Sequence, residues 1–277
     1  MGFFKTADPE RELLEEHFFS LGFREKALSL RVEKALEEVR AGRPLAYITG
    51  EQAFFDRVFR VNESVLIPRP DTERLVERAI ALLPPGGRFA DLGTGSGCIA
   101  VSLLGRRPDA SGVALDISPD ALAVARENAE AAGVLDRLTL LCGDMLADPL
   151  GEALYDLILS NPPYIPREEI ARYPSLAYEP QSALDGGEDG LDFYRAILDC
   201  CRKNLSPGGI FLFEIGFDQK EAVTALAKAH RLSCLVYRDF GGNDRVAEIF
   251  PDGERGAADG KAVREEDEWE GQRGKRA

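Results

Sequence analysis

The stretch Phe89-Ala90-Asp91-Leu92-Gly93-Thr94-Gly95-Ser96-Gly97 decides the fold. Its first four residues read as a strand, its glycines as a tight turn, and the run from Gly97 to Leu104 as a helix. Strand, glycine turn and helix in direct succession open a parallel α/β sheet. The glycines let the backbone approach a ligand closely, and the amino end of the helix offers it unpaired N–H groups. The spacing is G-x-G-x-G. It lacks the G-x-G-x-x-G of a dinucleotide site, so a pyrophosphate is not specifically indicated.

Toward the carboxyl terminus the alternation continues. Val113-Ala114-Leu115-Asp116 is the second strand, followed by a helix through Ala121, Val124, Ala125 and Ala129. Leu138 to Leu141 is the third strand, and the apolar run Leu154 to Leu159 leads into a fourth that ends at Asn161. A loop rich in proline and glycine fills 165–190, then a helix runs to about Asn204. Ile210 to Glu214 is the fifth strand and Gln219 to Ala229 a helix, while Leu232 to Tyr237 and Val246 to Phe250 close the sheet. The pattern predicts an α/β fold: a doubly wound, mostly parallel, seven-stranded Rossmann-like sheet covered on both faces.

Asp116 closes the second strand about twenty residues after the glycine turn, where a carboxylate can take both hydroxyls of a ribose. Asp144, past the third strand, sits where a side chain or neighbouring backbone meets an adenine edge. A nucleoside held without a pyrophosphate suggests S-adenosylmethionine. No G-x-S-x-G elbow, metal-ligand cluster or Walker lysine competes with that reading.

Ser160-Asn161-Pro162-Pro163-Tyr164 follows the fourth strand, at the strand's carboxyl end, where open α/β sheets bind ligands. Two prolines remove two backbone donors and hold the chain extended, so carbonyls face outward without competing N–H groups. An amide oxygen beside a fixed carbonyl, next to an aromatic ring, makes a socket for a planar –NH2 group. An amide nitrogen is a weak nucleophile, so such a site must chiefly position and polarise it. The proton becomes acidic only after alkylation, and no general base is required beforehand.

Upstream, residues 10–40 read as helical, with Leu13, Leu14, Phe18, Leu21 and then Ala27, Leu28, Leu36 and Val39 at helix spacing. Tyr47-Ile48-Thr49 and Val58 to Val61 read as the short strands of a hairpin. Asp71 or Thr72 is placed to cap the helix through Leu75, Val76, Ala79, Ile80 and Leu83, which Pro84-Pro85-Gly86-Gly87 breaks. The resulting division is a helical domain over 1–42, a β-hairpin linker over 43–68, the ligand-binding domain over 69–251, and a tail over 252–277. That tail has almost no apolar side chains beyond Val263 and Trp269 and is expected to be disordered.

The 277 residues are 44% apolar and 30% charged, as in an ordinary soluble globular protein. A net charge of −14 repels a phosphate backbone and weakens a nucleic-acid reading. The five cysteines show no C-x-x-C spacing, which favours reduced thiols and a cytoplasmic setting. Neither a signal peptide nor an apolar run of membrane-spanning length is present, and the loose myristoylation pattern at Met1 to Thr6 is read as coincidence.

Several segments occur in the order found in one known group. They are Arg43 to Gly50, Ile67-Pro68-Arg69-Pro70-Asp71-Thr72-Glu73, Asp91 to Gly97, Asn161 to Tyr164, Tyr178-Glu179-Pro180-Gln181-Ser182-Ala183-Leu184, Asp189 to Leu191, and Arg238-Asp239-Phe240. The chain resembles the class I S-adenosylmethionine-dependent methyltransferases. More narrowly, it resembles the release-factor-modifying N(5)-glutamine methyltransferases of the PrmC/HemK family.

The resemblance implies that Gly93, Thr94, Gly95, Ser96, Gly97, Asp116, Asp144, Met145 and Asn161 hold the cofactor. It implies catalytic roles for Asn161, Pro162 and Tyr164. Substrate contacts fall to Asn161, Pro162, Pro163, Tyr164, Arg69 and Glu179. In some members an aromatic follows the third-strand acid, where Met145 stands here. The expected partner is a peptide chain release factor, methylated on the glutamine of a Gly-Gly-Gln loop, with no membrane, nucleic-acid substrate or metal. A ribosomal-protein glutamine methyltransferase is the nearest alternative. A DNA adenine N6-methyltransferase would share the socket but normally adds a recognition domain and a basic groove. A nucleoside-binding regulatory module would have no use for the socket.

Overall fold

The computed structural model describes residues 8–252. The expectations for the tail, including Trp269, and for the amino-terminal Met1 to Thr6 lie outside the described residues. Two helices lead the chain, α1 (Pro9–Ser20) and α2 (Glu25–Arg40). Asp8 caps α1 by accepting from the Arg11 N–H at 3.2 Å, and Pro9 occupies the first helical position. The helical stretch is therefore a hairpin, broken at Gly22 with φ 94°. Leu14 and Phe18 bury against Val32, Ala35 and Leu36, whereas Leu13 and Leu21 face solvent.

The next segment corrects one expectation. Tyr47-Ile48-Thr49 belongs to a short helix, α3 (Leu45–Thr49), and the hairpin strands are β1 (Glu51–Phe54) and β2 (Arg57–Arg60). Pro44 begins that turn of helix, and Gly50 ends it in the left-handed region at φ 75°. The Tyr47 hydroxyl, donating to the Val65 carbonyl at 2.6 Å, holds the helix down. Tertiary anchoring at both ends overrides the strand propensity of three residues.

From there the chain alternates: α4 (Glu73–Leu82), β3 (Arg88–Leu92), α5 (Cys98–Arg106), β4 (Ser111–Asp116), α6 (Pro119–Ala131), β5 (Leu138–Cys142) and β6 (Tyr155–Ser160). A short helix, α7 (Arg167–Ile170), lies in the segment that the sequence reads as loop. Then come α8 (Asp192–Cys201), β7 (Leu205–Glu214), α9 (Lys220–Ala229), β8 (Leu232–Arg238) and β9 (Asp244–Pro251). β7 begins five residues before the expected strand because Leu205 still pairs with Tyr155 across a register shift.

The strand order is β5-β4-β3-β6-β7-β9-β8, parallel from β5 through β7, with β9 antiparallel to both β7 and β8. The fold is the expected doubly wound seven-stranded sheet. The chain winds from β3 out to β5 and then returns to the other side of β3, so the switch point lies between β3 and β6. Each face carries its own apolar core. Phe89, Leu103, Leu159 and Leu212 bury on one face, and Leu92, Ile158, Tyr194 and Phe213 on the other. Among the described residues no helix is long and apolar enough to cross a membrane.

One side chain joins three parts of this frame. Asn128 on α6, buried, accepts from the Arg60 N–H at 2.7 Å and donates to the carbonyls of Arg60 at 3.0 Å and Ser96 at 2.8 Å. It ties the hairpin to α6 and to the glycine turn. Asn128→Ala is expected to destabilise the fold by about 2–3 kcal/mol, the scale of unmade buried hydrogen bonds. A lowered denaturant midpoint with an unchanged slope would show it.

Candidate active site

The parallel registers bring strand ends together. Leu92 pairs with Leu115 on one side and with Ser160 on the other, and the Ser160 hydroxyl donates to the Leu92 carbonyl at 2.7 Å. The residues that follow, Gly93, Asp116 and Asn161, therefore leave the sheet side by side. All three line one cavity of about 400 Å³, within the size range of small-molecule sites.

The glycine turn is built by short bonds. The N–H groups of Gly93 and Thr94 both donate to the Leu115 carbonyl, at 2.8 and 2.9 Å. Gly93, Gly95 and Gly97 all have positive φ, at 72°, 54° and 79°. Their roles differ. A Cβ on Gly93 would meet Met145 Cε at 2.7 Å, and one on Gly97 would meet Ala125 Cβ at 3.1 Å. A Cβ on Gly95 would point into open space, on the cavity wall. Gly93, Thr94, Gly95 and Ser96 line the cavity, while Gly97 lets α6 pack against the turn.

Asp116 accepts one backbone N–H on each carboxylate oxygen, from Gly95 at 2.9 Å and from Ser118 at 2.9 Å. These bonds orient the carboxylate and leave lone pairs on both oxygens. Asp144 and Met145 also line the cavity, with Asp144 accepting from the Leu146 N–H at 2.8 Å. Ile117 and Leu146, both more than two-fifths exposed, add apolar wall. Sequence reasoning passed over these two. The available signal was an apolar residue directly beyond a strand-end acid in one case and beyond Met145 in the other.

Asn161 and Pro163 line the same cavity. Pro162 is buried and Tyr164 partly buried, and neither side chain lines the cavity. Tyr164 packs against the second core, with its carbonyl accepting from Gln219 Nε2 at 3.0 Å. Burial pushes its phenol well above the ordinary range. Arg69 reaches the cavity, whereas Glu179 lies buried behind it, ion-paired to Arg69 and accepting from the Ile67 N–H at 3.2 Å. Glu179 thus anchors the 178–184 segment to the strand-like approach before α4. Among the described residues no group of three or more His, Cys, Asp or Glu side chains could hold a metal ion.

Thr72 was expected, with Asp71, as a helix cap. Neither side chain caps α4: a 3₁₀ turn (Pro70–Thr72) precedes it. Asp71 instead faces Arg245 at 3.4 Å, and the Thr72 hydroxyl accepts from Asn161 Nδ2 at 3.2 Å.

A family model, Methyltransferase small domain, matches residues 72–173. The release factor glutamine methyltransferase of Cereibacter sphaeroides is 49% identical over 219 residues, covering 78% of this chain and 77% of that protein. Its namesake from Geobacter sulfurreducens is 46% identical over 206 residues, covering 73% of this chain and 72% of its own length. The chain belongs to the release factor glutamine methyltransferase family. A solved methyltransferase from Pyrococcus furiosus, 18% identical, matches with a TM-score of 0.55 over 78% of this chain and 97% of that one, which shows the shared fold. As a methyltransferase, the chain has its glycine turn, Asn161 and Pro163 lining one cavity.

A buried carboxyl stands at the base of the glycine turn. Asp91 is fully buried, and burial raises its pKa to about 7 against the Thr94 hydroxyl, which donates to it at 2.7 Å. A folded pKa above the unfolded value of about 3.9 means stability that is full below about pH 4 and is lost as pH rises through about 7. Asp91→Asn removes that dependence. Its melting temperature relative to wild type is expected to rise between pH 5 and pH 8, which thermal melts at the two pH values would measure.

Proposed function

We propose that the protein transfers the methyl group of S-adenosylmethionine to the side-chain amide nitrogen of a glutamine, presented on the Gly-Gly-Gln loop of a peptide chain release factor. The observation that carries the reading is that Asn161 and the glycine turn line the same cavity. The names of the related proteins support the substrate.

The residues present fit the cofactor. Gly95 presents open backbone to the cavity where any Cβ would intrude, and Asp116 offers two oriented carboxylate oxygens to a ribose diol. Asp144, Met145, Ile117 and Leu146 supply the remaining wall for a purine. Bound there, the cofactor supplies a sulfonium-activated methyl group.

The protein's own contribution is positional. The oxygen of Asn161 and the carbonyl of Pro162 accept the two N–H bonds of the substrate amide. Holding both hydrogens draws the nitrogen from planar toward pyramidal and aims its lone pair at the donor. Tyr164, packed against the second core, borders this arrangement from behind Pro163 in the chain. Arg69, held by Glu179, stands at the cavity wall to meet the incoming loop. Glycines on that loop carry no side chains to clash with a narrow entry.

Asn161→Ala is expected to lower turnover by ~10²–10³, the cost of one preorganised polar group at a reacting centre. Cofactor affinity should fall far less. A substrate carrying glutamate in place of the glutamine should accept no methyl group, and transfer to it, detected by mass spectrometry, would overturn the reading. Asp116→Ala should weaken cofactor binding by roughly 1.5–3 kcal/mol by calorimetry, the range for hydrogen bonds to a charged group.

A further inference from the structure

The Asn161 amide is nearly symmetric in shape but opposite in chemistry at its two ends. Accepting an –NH2 group requires the oxygen to face the cavity. Turned the other way, Asn161 would present its own N–H groups to the substrate's N–H groups and repel them. Something must therefore fix which way the amide faces.

The neighbouring geometry provides it. Asn161 Nδ2 donates to the Thr72 hydroxyl oxygen at 3.2 Å. Thr72 is only 2% exposed, so water does not compete for that hydroxyl. Ser160 pairs with Phe213 in the sheet, so the next residues, Asn161 and Glu214, emerge together. Glu214 is 1% exposed, and its carboxyl faces the Thr72 hydroxyl. An ionised carboxylate accepts and never donates. In that form Glu214 takes the Thr72 hydrogen, and the Thr72 oxygen accepts from Asn161. Burial is the strongest influence on Glu214 and raises its pKa to about 7, while the Thr72 hydroxyl, Arg245 and Arg69 draw it back toward the charged form.

We propose that Thr72, its hydroxyl polarised by Glu214, is the positioning residue that turns the Asn161 amide oxygen toward the substrate. This rests on the reading of Asn161 as the acceptor of the substrate amide's N–H groups. The direction of donation then runs one way: Asn161 to Thr72 to Glu214. The oxygen of Asn161 is the end that stays available in the cavity.

The test uses the full-length protein with cofactor and a release factor. Thr72→Val, of nearly the same shape, is expected to lower kcat ~10- to 100-fold, the scale of a small misplacement at a reacting centre, with cofactor affinity unchanged. Thr72→Ser, which keeps the hydroxyl, should recover most of the rate. In an Asn161→Ala background the same Thr72→Val change should cost less than about twofold, because it acts only through Asn161. An equal loss in both backgrounds, or no loss in either, overturns the proposal.

A measurement on the unmutated protein does not depend on variants folding. With 15N-labelled asparagine, the Asn161 side-chain amide hydrogens should exchange with solvent much more slowly than those of exposed Asn62. Equal rates overturn the proposal. Failure of the wild-type protein to methylate any release factor would instead overturn the substrate reading, and the exchange measurement would still decide the orientation.

Discussion

Parallel pairing at the middle of the sheet is the constraint on which the site depends. β3 has a neighbour on each side, and the registers Leu92–Leu115 and Leu92–Ser160 bring three strands to one level. A strand has a side-chain period of two, so a slip by one residue would send every buried side chain to the opposite face. With Phe89, Leu157 and Leu159 packed in one core and Leu92 and Ile158 in the other, neither strand has freedom to slip. Apolar burial on two faces therefore fixes where Gly93, Asp116 and Asn161 emerge. The chemistry of the cavity follows from the packing of residues that never touch it.

Much of this was legible in the chain. The central strands are continuous apolar runs, as parallel strands buried on both faces must be, and turn-formers bound them clearly. Gly93 to Ser96, Asp116 and Asn161 sit directly beyond those runs, so locating the strands located residues that line the cavity. Legibility failed where neighbours outvoted local preference. Tyr47-Ile48-Thr49 has strand character, but Pro44, Gly50 and the Tyr47 hydroxyl bond make it helix. Thr72 has the composition of a cap, but its partner is Asn161, 89 positions away in sequence. Glu179 lies in a motif but is buried behind Arg69. Sequence spacing carries no record of such long-range pairings.

Two carboxyls, Asp91 and Glu214, stand buried at the ends of β3 and β7 with pKa values raised to about 7. Burial is the leading cause for each, and hydrogen bonding from Thr94 or Thr72 offsets part of it. An apolar pair of similar volume would cost the fold less. Retaining buried acids at two strand ends beside a ligand cavity is the usual mark of a site that gives up some stability for function.

Asn128 gives the glycine turn a property of its own. Its three hydrogen bonds reach the outermost strand of the small hairpin and the Ser96 carbonyl inside the turn. Local opening of a protein proceeds in cooperative units whose members share their bonds. By that criterion the hairpin, the glycine turn and the last turn of α6 open as one unit, though they come from three separate stretches of chain. The turn that lines the cavity thus draws its rigidity from a two-stranded ribbon that would be only marginally stable alone.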